Sequence, residues 1–312
     1  MDVTTDDDAL LDALAAARPS QTDALARSIR ASVRRSLVGA PDGPFRLGRF
    51  TVLGRLGGGG MGTVFVAYDP DLDRKIALKV LHTRGEAGRQ AALREGRALA
   101  RLKHPNVVTV YEVGVLDEQV FVAMEYVSGQ NLRDWLCAPR SRAAILERLL
   151  EAGRGLAAAH DVDLVHRDFK PDNVVIDVAG HARVIDFGLA RPLEELATTV
   201  GGSIDASPTT PSLRGGTPAY MAPERLGGAP GDQRSDQYAF CLTGWEALFG
   251  ERPSARPRAA AGVPGRVVRA LRRGLSAAPE QRFPSMHALL AELAPPPARR
   301  WARGLALAAL AG

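Results

Sequence analysis

The sequence predicts an α+β fold of two unequal lobes: a small five-stranded antiparallel sheet with one helix, then a larger, mainly helical part. Two patterns carry that expectation. Between Arg49 and Met124, β-branched and apolar residues gather in five short runs separated by turn signals. Beyond Tyr126 the apolar residues recur instead at helical spacing. At 312 residues, 46% hydrophobic and 24% charged, the chain is long enough to bury a sizeable core in one large domain or two smaller ones.

Residues 1–44 stand apart as an N-terminal extension. Leu10, Leu11, Leu14, Leu25, Ile29 and Val33 suggest two short helices broken at Pro19-Ser20, and the run from Gly39 to Pro44 ends them. A loosely ordered extension is the competing reading, and no function is legible there. The first three strands are expected at Arg49 to Leu56, Thr63 to Tyr68 and Ile76 to Leu81, with Asp69-Pro70-Asp71 closing a hairpin. A helix from Ala87 to Leu102 stops at His104-Pro105-Asn106, and Val107 to Val113 and Gln119 to Met124 form a last strand pair. This small lobe and its hinge fill 45–127. The helical lobe fills 128–294, with helices at Leu132 to Leu136, Arg142 to His160, Asp236 to Phe249 and Val267 to Leu275. The Ser-, Thr-, Gly- and Pro-rich stretch from Arg191 to Gly216 reads as an irregular loop.

Composition excludes several classes. Lysine and arginine exceed the acids by five, but the arginines are scattered and neither zinc-finger spacing nor an aromatic-basic sheet motif occurs, so nucleic acid is not an expected partner. Cys137 and Cys241 lie far apart and outside any CxxC pair, as in a reduced cytosolic protein. Met1 opens an acidic segment, opposite in charge to a secretory leader. Residues 295–312 differ again. Pro295-Pro296-Pro297, the cations Arg299, Arg300 and Arg303, and the apolar Gly304 to Gly312 resemble a proline linker, a basic juxtamembrane cluster and the first half of a membrane span. A short apolar tail packed on the domain is the alternative.

The chemistry concentrates in His166-Arg167-Asp168-Phe169-Lys170-Pro171-Asp172-Asn173, followed by Asp186-Phe187-Gly188. That span supplies a candidate proton acceptor, a cation and two oxygen donors for a metal, the set that phosphoryl transfer from a magnesium-bound nucleotide requires. Gly57-Gly58-Gly59-Gly60-Met61-Gly62-Thr63-Val64 fits G-x-G-x-x-G-x-V between two strands, where backbone N–H groups could close over phosphates. A strand follows the run, which excludes a dinucleotide-binding turn, and no Gly-Lys-Ser/Thr ends it, which excludes a P-loop. Lys79 lies inside the apolar run Ile76-Ala77-Leu78-Lys79, where an ammonium is costly without an anion.

These motifs resemble the protein kinase superfamily from about Phe45 to Leu293, and bacterial eukaryotic-like (Hanks-type) serine/threonine protein kinases in particular, with Lys170 pointing to the Ser/Thr branch. The resemblance implies a protein-kinase-like fold and transfer of the ATP γ-phosphoryl group to protein Ser/Thr hydroxyls. Asp168 would accept the hydroxyl proton, and Lys170 would neutralise the transferring group. Asn173 and Asp186 would bind Mg2+, or Mn2+ in its place. Leu56, Gly57, Gly59, Gly62, Val64, Ala77, Met124 as gatekeeper, Glu125, Val127 and Val175 would hold the nucleotide. Lys79 would contact its phosphates, paired with Glu95, nine residues before His104; Glu86 is the competing carboxylate, too early in its helix. His166 would be structural, stacked with Phe187, Leu99 and Val110 and anchored to Asp236. Thr217 would bond Asp168 and Lys170, and Glu224 would pair with Arg282. Asp172 and Asp177 read as turn and surface acids.

The resemblance extends to regulation. Thr198, Thr199, Ser203, Ser207, Thr209, Thr210 and Ser212 are candidate phosphosites, and Arg167 could pair with a phosphate of about −2 charge. Self-association for trans-autophosphorylation and a cytoplasmic domain anchored to the inner membrane by a C-terminal span are further expectations. One departure stands out. Between Pro253 and Pro264 the chain is short and interrupted by Pro257 and Gly262, where kinases place a substrate-docking helix. A nucleotide-binding pseudokinase scaffold and a small-molecule phosphotransferase are the alternatives. The intact set Lys79, Asp168, Asn173 and Asp186 opposes the first, and the segment Thr217 to Glu224 opposes the second.

Overall fold

The structure, a computed structural model, describes residues 45–59, 62–83, 85–116, 118–188, 218–253 and 262–295. The expected N-terminal helices, the loop hydroxyls from Thr198 to Ser212, Thr217, residues 254–261 and the apolar C-terminal run lie outside them. The chain divides into two compact units, one of residues 45–82 with 111–126 and the other of 83–110 with 127–295 among those described.

The first unit is a sheet of six strands: β1 (Phe45–Leu47), β2 (Phe50–Gly59), β3 (Gly62–Asp69), β4 (Arg74–Leu81), β5 (Val110–Leu116) and β6 (Gln119–Glu125), ordered β1-β2-β3-β4-β6-β5. Six strands replace the expected five because Phe45–Leu47 pairs antiparallel with Phe50–Val52. Gly48, at φ +59°, supplies the left-handed residue of the tight turn between them. Alternation along β3 buries Thr63, Phe65, Ala67 and Asp69, the period-2 signature of a strand with one covered face. One sheet face packs Leu47, Phe50, Val52, Phe65, Ala67, Ile76, Leu78, Val80 and Ala123 into a core. Edge-to-face contacts of Phe45 with Phe65 (5.8 Å) and Phe50 with Phe121 (5.7 Å) close it.

The second unit is mainly helical: α1 (Gly85–Arg101), α2 (Leu132–Trp135), α3 (Arg142–His160), α4 (Pro223–Leu226), α5 (Gln233–Phe249), α6 (Gly265–Gly274) and α7 (Met286–Leu293). It also holds a small antiparallel sheet of β7 (Gly129–Asn131), β8 (Val174–Asp177) and β9 (Ala182–Val184). Helix α3 starts at Ser141, whose hydroxyl accepts the Ala144 N–H, and buries Ile145, Leu149, Ala152 and Leu156 along one stripe. Helix α5 is buried nearly all round. Asp232 and Ser235 form a reciprocal capping box at its start, and Gly250 ends it in the left-handed conformation. Its first turn precedes the expected Asp236, since the cap sets the start and the apolar pattern begins a turn later. Val107 and Val108 form no strand of the large sheet; Val107 bridges to Val184 of β9 and Val108 N–H donates to Val184 O. No helix among the described residues is long and apolar enough to cross a membrane.

Candidate active site

In the first unit, antiparallel pairing gathers five of the expected nucleotide residues, Gly57, Val64, Ala77, Lys79 and Met124, on one sheet face. Val64 stands opposite Lys79 and Gly57, and Ala77 opposite Met124. Directly opposed residues share a face, and so do Ala77 and Lys79 two apart, so this set lies away from the core face. Lys79, Ala77 and Met124 are buried, Glu125 is half-buried and Leu56 is exposed. Gly62 could be no other residue without disruption: a Cβ there would fall 2.4 Å from Val80 O. Gly59 is placed as backbone opposite Gly62.

In the second unit the site is built around Asp236 of α5, which is 1% exposed. Its Oδ2 accepts the His166 N–H at 2.7 Å and the His160 Nε2–H at 2.9 Å, and its Oδ1 accepts the Arg167 N–H at 2.8 Å. Burial alone would raise its pKa; the hydrogen bonds from His160 and the His166 amide outweigh that and hold it below the ordinary carboxylate range. The two amide bonds fix the backbone before Asp168, where Arg167 is at φ +64°, a left-handed conformation costing an arginine about 1–2 kcal/mol.

His166 is fully buried, and burial pushes its pKa down, so the imidazole is neutral at pH 7. Its Nε2–H donates to Ile185 O (3.0 Å), and Nδ1 accepts the Asp168 N–H (3.3 Å). With both nitrogens engaged and the ring 4.7 Å from Phe187, it positions the loop and has no lone pair left for a substrate proton. Leu99 and Val110 are buried in the same unit.

Asp168, Lys170 and Asn173 meet, as the motif requires. Lys170 Nζ lies 2.8 Å from Asp168 Oδ2, and Asn173 Nδ2 donates to Asp168 O at 2.7 Å and to Oδ2 at 3.3 Å. Asn173 directly precedes β8 and Asp186 follows β9 by two residues. Pairing of Val174 with Val184, and donation of Ile185 N–H to Asn173 O at 3.0 Å, set both at the same end of one hairpin. The amide nitrogen of Asn173 is spent on Asp168; its carbonyl oxygen and the Asp186 carboxylate are hard donors, of the kind that suit a divalent cation such as Mg2+ or Mn2+ and not a soft metal. Gly188 completes the turn: its N–H donates to His166 O at 3.0 Å, and a Cβ would lie 2.9 Å from that oxygen. Val175 and Val127 are half-buried, and Val175 lies on β8 opposite Asn131.

Glu95 of α1 accepts from Arg167 Nη1 at 2.8 Å. Glu86, at the exposed start of the same helix, is engaged with Arg89 and Gln90. Glu224 and Arg282 form the expected pair, a fork of two 2.7 Å bonds with the arginine side chain fully buried. Asp177 caps the β8–β9 turn by accepting the His181 N–H. Sequence reasoning missed the roles of His160, Arg133, Tyr220, Glu246 and Arg225. Arg225 Nη1 donates to Arg167 O at 2.5 Å, across a separation of 58 residues that no local pattern reveals.

Residues 50–277 match the family described as protein kinase domain. Over 225 residues the chain is 38% identical to serine/threonine-protein kinase pkn2 of Myxococcus xanthus, a match covering 70% of this chain and 26% of that protein. Over 214 residues it is 34% identical to the serine/threonine-protein kinase PrkC of Bacillus subtilis, covering 66% of this chain and 31% of PrkC. The solved kinase domain of Mycobacterium tuberculosis PknI is similar with a TM-score of 0.62 at 29% identity, over 80% of this chain and 95% of that domain. The chain belongs to the protein kinase family. Within it, the chain is a bacterial Hanks-type member, and it spans only about a quarter to a third of the length of these two curated relatives.

Proposed function

We propose that this chain is an ATP-dependent serine/threonine protein kinase in bacterial signalling, with Mg2+ as its metal. The observation that carries the reading is the cluster of Asp168, Lys170 and Asn173, with Asp186 at the same hairpin end. Asp168 accepts the proton as a substrate hydroxyl oxygen forms its bond to the γ-phosphorus and the bond to the ADP oxygen breaks. Lys170 balances charge on the transferring group, and Thr217 is proposed to bond both. Asn173 and Asp186 hold the divalent cation, which when bound neutralises phosphate charge. Lys79, buried on β4, contacts the phosphates with Glu95 as its partner. Leu56, Gly57, Gly59, Gly62, Val64, Ala77, Met124, Glu125, Val127 and Val175 enclose the nucleotide.

Activation by autophosphorylation at the loop hydroxyls from Thr198 to Ser212 belongs to the same proposal, as does self-association to deliver them in trans. Arg167 is already held by the single negative charge of Glu95, and a phosphate of about −2 charge would compete for it. Membrane attachment through residues 295–312 rests on their basic and apolar composition. The central test is incubation with radiolabelled ATP and Mg2+ beside Asp168→Asn. Label on Ser/Thr for the wild type and a loss of about 100-fold or more in the variant are expected. Nucleotide binding without transfer by the wild type would establish the scaffold instead.

A further inference from the structure

A chain of alternating charges lies against the catalytic loop. Arg133 of α2 grips Asp172 with Nε and Nη2 at 2.9 and 2.7 Å, and its Nη2 also donates to Tyr220 Oη at 3.2 Å. Tyr220 Oη in turn donates to Glu246 Oε2 of α5 at 2.6 Å. Glu246 Oε1 meets Arg252 Nε at 2.5 Å, and the Arg252 guanidinium lies 4.8 Å from the centre of the Tyr220 ring while donating to Ala219 O. Two guanidiniums and two carboxylates balance. The hydrogen bond from Arg133 holds the Asp172 carboxyl below its usual range, so it is ionised at neutral pH.

The position of this chain gives it a consequence for substrates. Asp172 directly precedes Asn173, which bonds Asp168, and Tyr220 lines the same cavity as Asp168. A protein segment that delivers a hydroxyl to Asp168 extends roughly 3.3 Å per residue, so its neighbours one to three positions away pass over this network. Both carboxylates there are already occupied by the protein's own cations. At Asp172 a lysine or arginine of the substrate would have to displace a bidentate guanidinium fork, the strongest carboxylate contact available to side chains. Arg133 and Arg252 are nonetheless about half exposed, so their removal would open the carboxylates to solvent without hollowing the core.

We infer that Arg133 is a specificity-determining residue: by holding Asp172 and Tyr220 it occupies the place a basic substrate side chain would take, and it directs the enzyme to segments without lysine or arginine beside the phosphoacceptor. The inference rests on the reading of Asp168 as proton acceptor.

The test is a Ser/Thr peptide library varied at the three positions on each side of the phosphoacceptor, with the full chain, Arg133→Ala and Arg133→Gln. The wild type is expected to show no enrichment of lysine or arginine at any of the six positions. Both variants should raise phosphorylation of basic peptides about tenfold at one position or more, the change expected from one gained charge-assisted contact. Asp172→Asn, which leaves Arg133 without its counter-ion, should instead favour Asp or Glu in the same window, and it decides the matter if the Arg133 variants melt. A wild type that already prefers basic neighbours, or Arg133 and Asp172 variants whose profiles match the wild type, would overturn the inference. No incorporation into any peptide by the wild type would overturn the catalytic reading, and this inference with it.

Discussion

Replacing Asp236 with asparagine should show whether a single buried charge holds the catalytic loop. Among the described residues the carboxylate accepts three hydrogen bonds, from the amides of His166 and Arg167 and the Nε2–H of His160. Asparagine offers one acceptor oxygen and one NH2 group, so whichever way the amide turns, it presents N–H groups to at least one backbone N–H. His160 can adapt, because its Nδ1 has no hydrogen-bond partner among the described residues and the ring can change tautomer. The peptide amides cannot. One orphaned buried N–H costs about 1–3 kcal/mol, and the bond that remains loses roughly another 1 kcal/mol as its acceptor turns neutral. A total of about 2–4 kcal/mol corresponds to a Tm lower by roughly 4–16 °C for a domain of this size. The functional effect should be larger. With one of the two amide bonds lost, Arg167 would be held less firmly at φ +64°, and relaxation there moves Asp168, the next residue. Misplacement by an ångström is worth about 100-fold in kcat. The substitution leaves the ATP-binding residues proposed on β2, β3, β4 and β6 unaltered, so KM for ATP should change less than about threefold. Differential scanning fluorimetry and steady-state kinetics read these quantities. A variant that melts within 2 °C of the wild type, or roughly so, and keeps kcat within about threefold would refute the reasoning.

Two further outcomes follow from the same kind of geometry. Arg282→Ala removes the fork to Glu224 and the bonds to Ser276 O and Arg234 O at 3.0 and 2.9 Å, so it should cost about 3–5 kcal/mol in urea unfolding. Arg282→Lys should recover little of that, since an ammonium cannot form the fork; a loss under about 1 kcal/mol for the alanine variant would contradict the account. Stability should also fall with acid in two stages. The pKa of His166 is lowered by burial, so the unfolded imidazole takes up its proton first and stability erodes as pH drops below about 6.5. Asp236 and Glu224 are depressed, so their contribution is present at neutral pH and is lost as pH falls below about 4. Urea midpoints measured from pH 8 to 3.5 report both stages, and a midpoint unchanged down to pH 5 would rule out the first.

What the sequence reveals, and what it hides, follows the range of the interaction involved. The span of α3 is readable because a local cap at Ser141 and a long apolar stripe agree. The start of α5 is misplaced because Gln233, Arg234 and Ser235 are polar and only the Asp232 cap marks them as helical. Strands of three or four residues, such as β1, β7 and β9, are too short for alternation to register. Val107 and Val108 have strand-like side chains yet pair with β9, since a propensity describes a half-buried surface and not which strand provides it.

The candidate site divides along the same line. Asp168, Lys170 and Asn173 interact within five residues, so their spacing nearly dictates their geometry, and reading them as a motif amounts to reading a structure. Arg133 and Asp172 are 39 residues apart, and Tyr220 and Glu246 are 26 apart. Each of the four looks like an ordinary surface residue until the fold sets Arg133 between a carboxylate and a phenol. Asp172 shows the difference most plainly. Its neighbours in sequence make it a turn acid, whereas the fold brings Arg133 onto both of its carboxylate oxygens. Asp168, Lys170 and Asn173, by contrast, are readable from contiguous letters, because their contacts close within five residues. The surface proposed to meet a protein substrate is assembled from α2, the 171–173 turn, the 218–220 turn and α5. It can change by one arginine without disturbing the chemistry beside it.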